Sequence, residues 1–312
     1  PLFSIMSCQS LLCVFFLVGT VNIVGGQAAA APQRQVRWWM GFGNPTNNLA
    51  VIDAHRDSIT GIYTYIGAGV EASGTCDCPN NDSYLVAQFT PYWTRGLTVT
   101  PALALTNASV MNGNAVKHVD EVAAFAKRIN VSGFMLDFEP DTSEVAWVYA
   151  YRDYVAAFTT AMHNVGLKAE MCVSSWGILD GHELPNGEGY GVFSKTGVDV
   201  MMSMAGTYYG TNLTKNLVNV DNELRDGVSL TQLAAGIGTQ IDPTISNTCP
   251  PVGTMGCKIA GGQCYNWTES RLTSFVTSLV DRNVTTIDMW RADIDSEGVC
   301  TEPWYFDVTA KF

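Results

Sequence analysis

The segment Ser132-Gly133-Phe134-Met135-Leu136-Asp137-Phe138-Glu139-Pro140 places two carboxylates two residues apart at the end of an apolar run. Side chains alternate between faces on an extended chain. Asp137 and Glu139 therefore point to one side, shared with Gly133 and Met135. Two carboxylates on the inner face of a buried strand are costly unless they are paired or used. Burial and repulsion raise one pKa, leaving a protonated acid beside an ionised carboxylate. Glu139, nearer the strand end, is the natural proton donor, and Asp137, deeper, the natural stabiliser. The plainer reading makes the two acids helix caps or partners of an arginine.

Eight short, β-rich apolar runs supply the elements that would position such a pair. They are Val36–Phe42, Gly61–Gly67, Leu97–Leu105, Gly133–Phe138, Leu167–Ser174, Val198–Met204, Gln232–Ile237 and Thr285–Trp290. Continuous apolarity suits strands buried on both faces of a parallel sheet. Helical periodicity fills the gaps at Asn114–Arg128, Ser143–Asn164, Thr211–Arg225 and Thr268–Arg282. The alternation predicts an α/β chain folded as a single-domain (β/α)8 TIM barrel, which typically needs about 250 residues. A doubly wound open sheet is the alternative, but no Gly-x-Gly-x-x-Gly opens a strand–helix turn. The longest interval holds Cys249, Cys257 and Cys264, which predicts a disulfide-braced loop between strands 7 and 8. Barrel chemistry sits at the C-terminal strand ends, where Asp137 and Glu139 fall.

The strand around Asp137 resembles the active-site strand of glycoside hydrolase family 18, the chitinase-type family. That family carries Asp-Gly-x-Asp-x-Asp-x-Glu on its fourth barrel strand. Asp137 and Glu139 match its last Asp and its Glu, and Gly133 is in register. Ser132 and Met135 stand where the family has its first and middle Asp. The resemblance implies a retaining, substrate-assisted mechanism, an exception to the two-carboxylate scheme. Glu139 would protonate the glycosidic oxygen, the sugar's 2-acetamido carbonyl would attack the anomeric carbon, and Asp137 would orient and stabilise the acetamide. The substrate would then contain N-acetylglucosamine. The family's Met-x-Tyr segment falls near Met204, with Tyr208, then Tyr209, as the acetamide-binding hydroxyl. The family's sugar-floor Trp falls at Trp290, and an aromatic face suits a pyranose. Trp38 on the first strand and Tyr65 on the second are further candidates for the sugar groove. Glu170 on the fifth strand is the candidate second carboxylate of an ordinary two-carboxylate glycosidase.

The remaining composition narrows the setting. The 312 residues carry 29 acidic and 17 basic side chains, a net charge of -12. An acidic chain without a basic run is a poor partner for nucleic acid or anionic membrane. Residues 1–28 contain no charged side chain and include the apolar run Leu11–Val18, which reads as a secretory signal preceding the barrel domain 29–312. Sequons at Asn81, Asn107, Asn130, Asn212, Asn266 and Asn283 agree with the secretory pathway, toward secretion or a lysosome or vacuole. Seven cysteines follow the signal, so disulfides are expected with one thiol left over, Cys172 in its apolar stretch. The scattered histidines have no metal-ligand spacing, and no metal or cofactor is expected.

The leading expectation is a monomeric glycosidase for β-linked N-acetylglucosamine glycans, either chitin oligomers or the chitobiose core of N-glycans. The alternative is a chitinase-like lectin that binds such glycans without cleaving them. Retention of Glu139 favours the first, and the two replaced aspartates favour the second. A phosphodiesterase would need a histidine or metal-ligand constellation that the chain lacks.

Overall fold

The computed structural model describes residues 33–41, 45–71, 73–111, 115–139, 144–175, 177–179, 183–208, 212–239, 267–292, 294–295, 298–299, 301 and 303–312. The expected signal segment, Tyr209, the loop cysteines Cys249, Cys257 and Cys264, and Cys300 lie outside these residues.

Eight parallel strands close into a barrel. They are β1 (Gln35–Met40), β2 (Gly61–Val70), β3 (Thr98–Ala104), β4 (Gly133–Asp137), β5 (Lys168–Val173), β6 (Val200–Met204), β7 (Leu233–Gly238) and β8 (Thr286–Ala292). Each pairs with its sequence neighbour, and β8 pairs with β1 to close the ring. All eight strands fall on the eight apolar runs, because strands packed on both faces need apolar side chains in both parities. The helices Ala115–Arg128, Val145–Asn164, Leu213–Arg225 and Glu269–Asp281 also lie where periodicity places them. Thr268 caps the last of these by accepting a hydrogen bond from the Arg271 amide at 3.3 Å. Helices Pro45–Ala54, Asp82–Trp93 and Pro303–Thr309 add to that set.

Two cores result. Inside the barrel lie Trp39, Tyr63, Ala102, Met135, Cys172, Val200, Met202, Met204 and Ala234. Outside, between strands and helices, a larger core includes Trp38, Phe134, Leu136 and Phe158. Gly133 begins β4 because a Cβ there would come within 2.5 Å of the Lys168 carbonyl oxygen of β5. Beyond Tyr65, the register of β2 against β3 slips before Gly69, and Gly67 takes a φ of 77° that glycine tolerates. The extended end of β2 then pairs antiparallel with Cys76–Asp77. Cys76 and Cys78 form a disulfide, and Cys172 is a buried free thiol.

Candidate active site

Strand polarity brings the C-terminal ends of the barrel to one mouth, and a pocket opens there. It is lined by Trp39, Tyr65, Asp137, Glu139, Cys172, Met202, Met204, Thr207 and Trp290, with an empty volume of about 350 Å³ including its open side. That is at the low end of the roughly 300–1,000 Å³ typical of small-ligand pockets.

Asp137 is the last residue of β4, and its side chain accepts a hydrogen bond from the Tyr65 hydroxyl at 2.5 Å. Burial raises the pKa of Asp137, while hydrogen bonds from Tyr65 and the Cys172 thiol oppose the rise. Glu139 opens to solvent at the mouth. Desolvation by the pocket walls, reinforced by the charge of Asp137, pushes its pKa up to about 7. At neutral pH Glu139 is therefore divided between a form that can donate a proton and one that can accept it, as acid–base catalysis requires.

The pocket walls are aromatic. The Trp39 and Trp290 rings meet edge to face at 4.9 Å between centroids. Tyr65 lies 5.2 Å from Trp39 and 6.1 Å from Trp290. Tyr63 stacks beneath Trp39 at 4.9 Å. Met204 ends β6 on the same wall. Thr207 follows on the short helix Ala205–Tyr208. That helix sits hard against β7, because Gly206 leaves no room for a Cβ beside the Gly236 carbonyl. Tyr208 ends the helix.

Two sequence expectations are corrected. Trp38 is not at the pocket: it faces outward, stacks on Phe306 at 4.2 Å and donates its indole N–H to the Ser58 carbonyl at 3.0 Å. Its neighbour Trp39 takes the inward position, since a shift of one residue on a strand changes the face. Glu170, the candidate second carboxylate, is not at the pocket. It lies two residues before Cys172 on β5, buried and paired with Arg37 at 2.8 Å. Arg37 also grips Asp288 of β8 through two hydrogen bonds of 2.7 and 2.8 Å. The Tyr63 hydroxyl donates to Glu170 at 2.5 Å. Burial works to lower the pKa of Arg37, but Asp288 and Glu170 outweigh it, so the guanidinium stays charged. This polar layer forms the floor beneath the pocket.

Among the described residues no helix is long and apolar enough to cross a membrane.

No protein-family model matches the chain, and no curated protein matches it in sequence. Solved structures do match. A class V chitinase from Nicotiana tobaccum superposes with a TM-score of 0.63 at 14% identity, over 89% of this chain and 98% of that one. A chitinase from Bacteroides thetaiotaomicron gives 0.62 at 10% identity, over 83% and 89%. A family 18 chitinase from Flavobacterium johnsoniae gives 0.60 at 11% identity, over 89% and 93%. The barrel whose mouth carries Asp137 and Glu139 thus has the fold of these chitinases, at 10–14% sequence identity.

Proposed function

We propose that this chain is a chitinase-type glycoside hydrolase that cleaves β-linked N-acetylglucosamine glycans with retention of configuration. The observation that carries this reading is the pair Asp137 and Glu139 in one aromatic-walled pocket, with the pKa of Glu139 raised to about 7. A neutral sugar offers apolar C–H faces to such walls and hydroxyls to its few polar groups. Chitinases of the same fold bind N-acetylglucosamine oligomers: a mutant of the tobacco enzyme was solved in complex with NAG4.

In this mechanism the protonated Glu139 delivers its proton to the glycosidic oxygen. The 2-acetamido oxygen attacks the anomeric carbon as its bond to the glycosidic oxygen breaks and the released sugar leaves as an alcohol, and the ionised Asp137 balances the positive charge of the oxazolinium. Glu139, now ionised, takes a proton from the water that attacks the anomeric carbon as the oxazolinium bond to that carbon breaks, and so returns to its starting state. Trp290 forms the platform for the cleaved sugar, with Met204, Trp39 and Thr207 completing the wall. Tyr208, or after it Tyr209, would supply the acetamide-binding hydroxyl.

The protein works as a monomer after removal of a signal near residue 28, outside the cell or in a lysosome or vacuole. The sequon asparagines 81, 107, 130, 212 and 283 are all exposed, which suits glycosylation on that route. Met135, buried where the resembled family has an acid, favours the lectin reading. Incubating wild type and Glu139→Gln with a fluorogenic N-acetylchitobiose substrate separates the two. The enzyme reading expects turnover that Glu139→Gln abolishes. Tight binding without turnover identifies a lectin.

A further inference from the structure

Asp137 has a polar partner on each side and an apolar residue below. Its strand neighbour β3 turns only Ala102 and Ala104 toward this level of the barrel. These small side chains leave a gap through which Tyr65, on β2, reaches past β3 to the Asp137 carboxylate at 2.5 Å. On the other flank Cys172 of β5 lies level with Asp137 and lines the same pocket. Below it, Met135 is fully buried and offers no donor. The Tyr65 ring is itself confined between Trp39 and Trp290. Burial and the charge of Asp137 raise the phenol's pKa, so it remains a donor throughout the working range.

We propose that Tyr65 is a positioning residue, whose hydroxyl acts across β3, together with the Cys172 thiol, to hold the Asp137 carboxylate ionised and in one orientation for the reaction. This rests on the glycosidase reading for its purpose, though not for its geometry. It changes the role of Tyr65 from sugar wall to support of the charge-balancing acid. The other titratable groups facing Asp137 are Glu139 on its own strand end and Tyr151 on helix Val145–Asn164. Asp288 lies deeper, near Cys172. None of these replaces the donor that Tyr65 supplies.

The test is a carboxyl-carbon NMR titration of the free protein, with the Asp137 resonance assigned as the one missing from Asp137→Asn. Tyr65→Phe keeps the ring and removes only the hydroxyl. A hydrogen bond to a charged group corresponds to roughly one to two pH units. The Asp137 midpoint should rise by about that much in Tyr65→Phe, and rise also in Cys172→Ala. In an active enzyme the acidic limb of kcat/KM should move up with it, while KM changes little. An unmoved Asp137 midpoint in Tyr65→Phe overturns the proposal, as does a variant that raises KM alone. The titration needs no substrate, so it stands or falls apart from the glycosidase reading: an inactive protein with a moved midpoint refutes the reaction and keeps the contact.

Discussion

Asp137 and Glu139 share a strand end and a chemistry, and their surroundings separate them. Asp137 receives two donors that favour its charge. For Glu139, burial and the charge of Asp137 both act against ionisation. The raised pKa of Glu139 has a cost in stability. Its folded value of about 7 exceeds the ordinary value of 4.5, so the folded state holds this proton more tightly than the unfolded chain. The favourable contribution is complete below about pH 4.5 and is lost as the pH rises through 7. Glu139→Gln, which cannot ionise, should therefore melt with wild type in acid and above it at pH 8. Solvent screening reduces the difference to about 1 kcal/mol, or roughly 2–4 °C in a domain of this size. Calorimetry at both pH values checks this, and an equal Tm at pH 8 would contradict it. The parity of Asp137 and Glu139 is legible in the sequence because alternation is local. The contact between Tyr65 and Asp137 is not, since it depends on the two alanines of an intervening strand. The inward turn of Trp39 rather than Trp38 needed the strand's absolute phase, which an apolar run with both parities filled does not reveal.

At the scale of elements, β4 holds the acids because its other face is anchored. Phe134 and Leu136 are fully buried against the helices, opposite in parity to Met135 and Asp137. Removing one anchor should loosen the strand that carries the catalytic pair. Leu136→Ala is expected to cost about 2–5 kcal/mol by denaturant unfolding. A cost below about 1 kcal/mol would mean that β4 is held by its ladder alone. The strands are legible because each is a continuous apolar run of suitable length. The helices Pro45–Ala54 and Asp82–Trp93 are harder to read. The first has no charged residue in its first turn and no basic one in its last, and the second contains Pro91, which argues against a helix interior.

At the scale of the molecule, one buried cluster ties the barrel across its interior. Arg37 joins the first strand to Asp288 on the last and to Glu170 on the fifth, with Tyr63 bridging from the second. Asp288 is raised to about 6 by burial, against the pull of Arg37. Removing the cation would strand two buried carboxylates. Arg37→Met should lose about 3–5 kcal/mol at neutral pH. The loss should shrink in acid, where protonation relieves the unpaired charge. A loss independent of pH would show that Arg37 acts by packing alone. Sequence spacing hid this cluster: its members lie on four strands and become neighbours only when the sheet closes. Glu170, read alone, looked like a catalytic acid for the same reason.

The central claim is that Glu139 is the proton donor of a glycosidase, and turnover of a fluorogenic N-acetylchitobiose substrate across pH tests it most directly. Wild type should show a bell-shaped kcat/KM whose basic limb falls near pH 7, and Glu139→Gln should lose at least about 10²–10⁴-fold, the usual worth of a general acid. Wild-type turnover left intact by Glu139→Gln would contradict it.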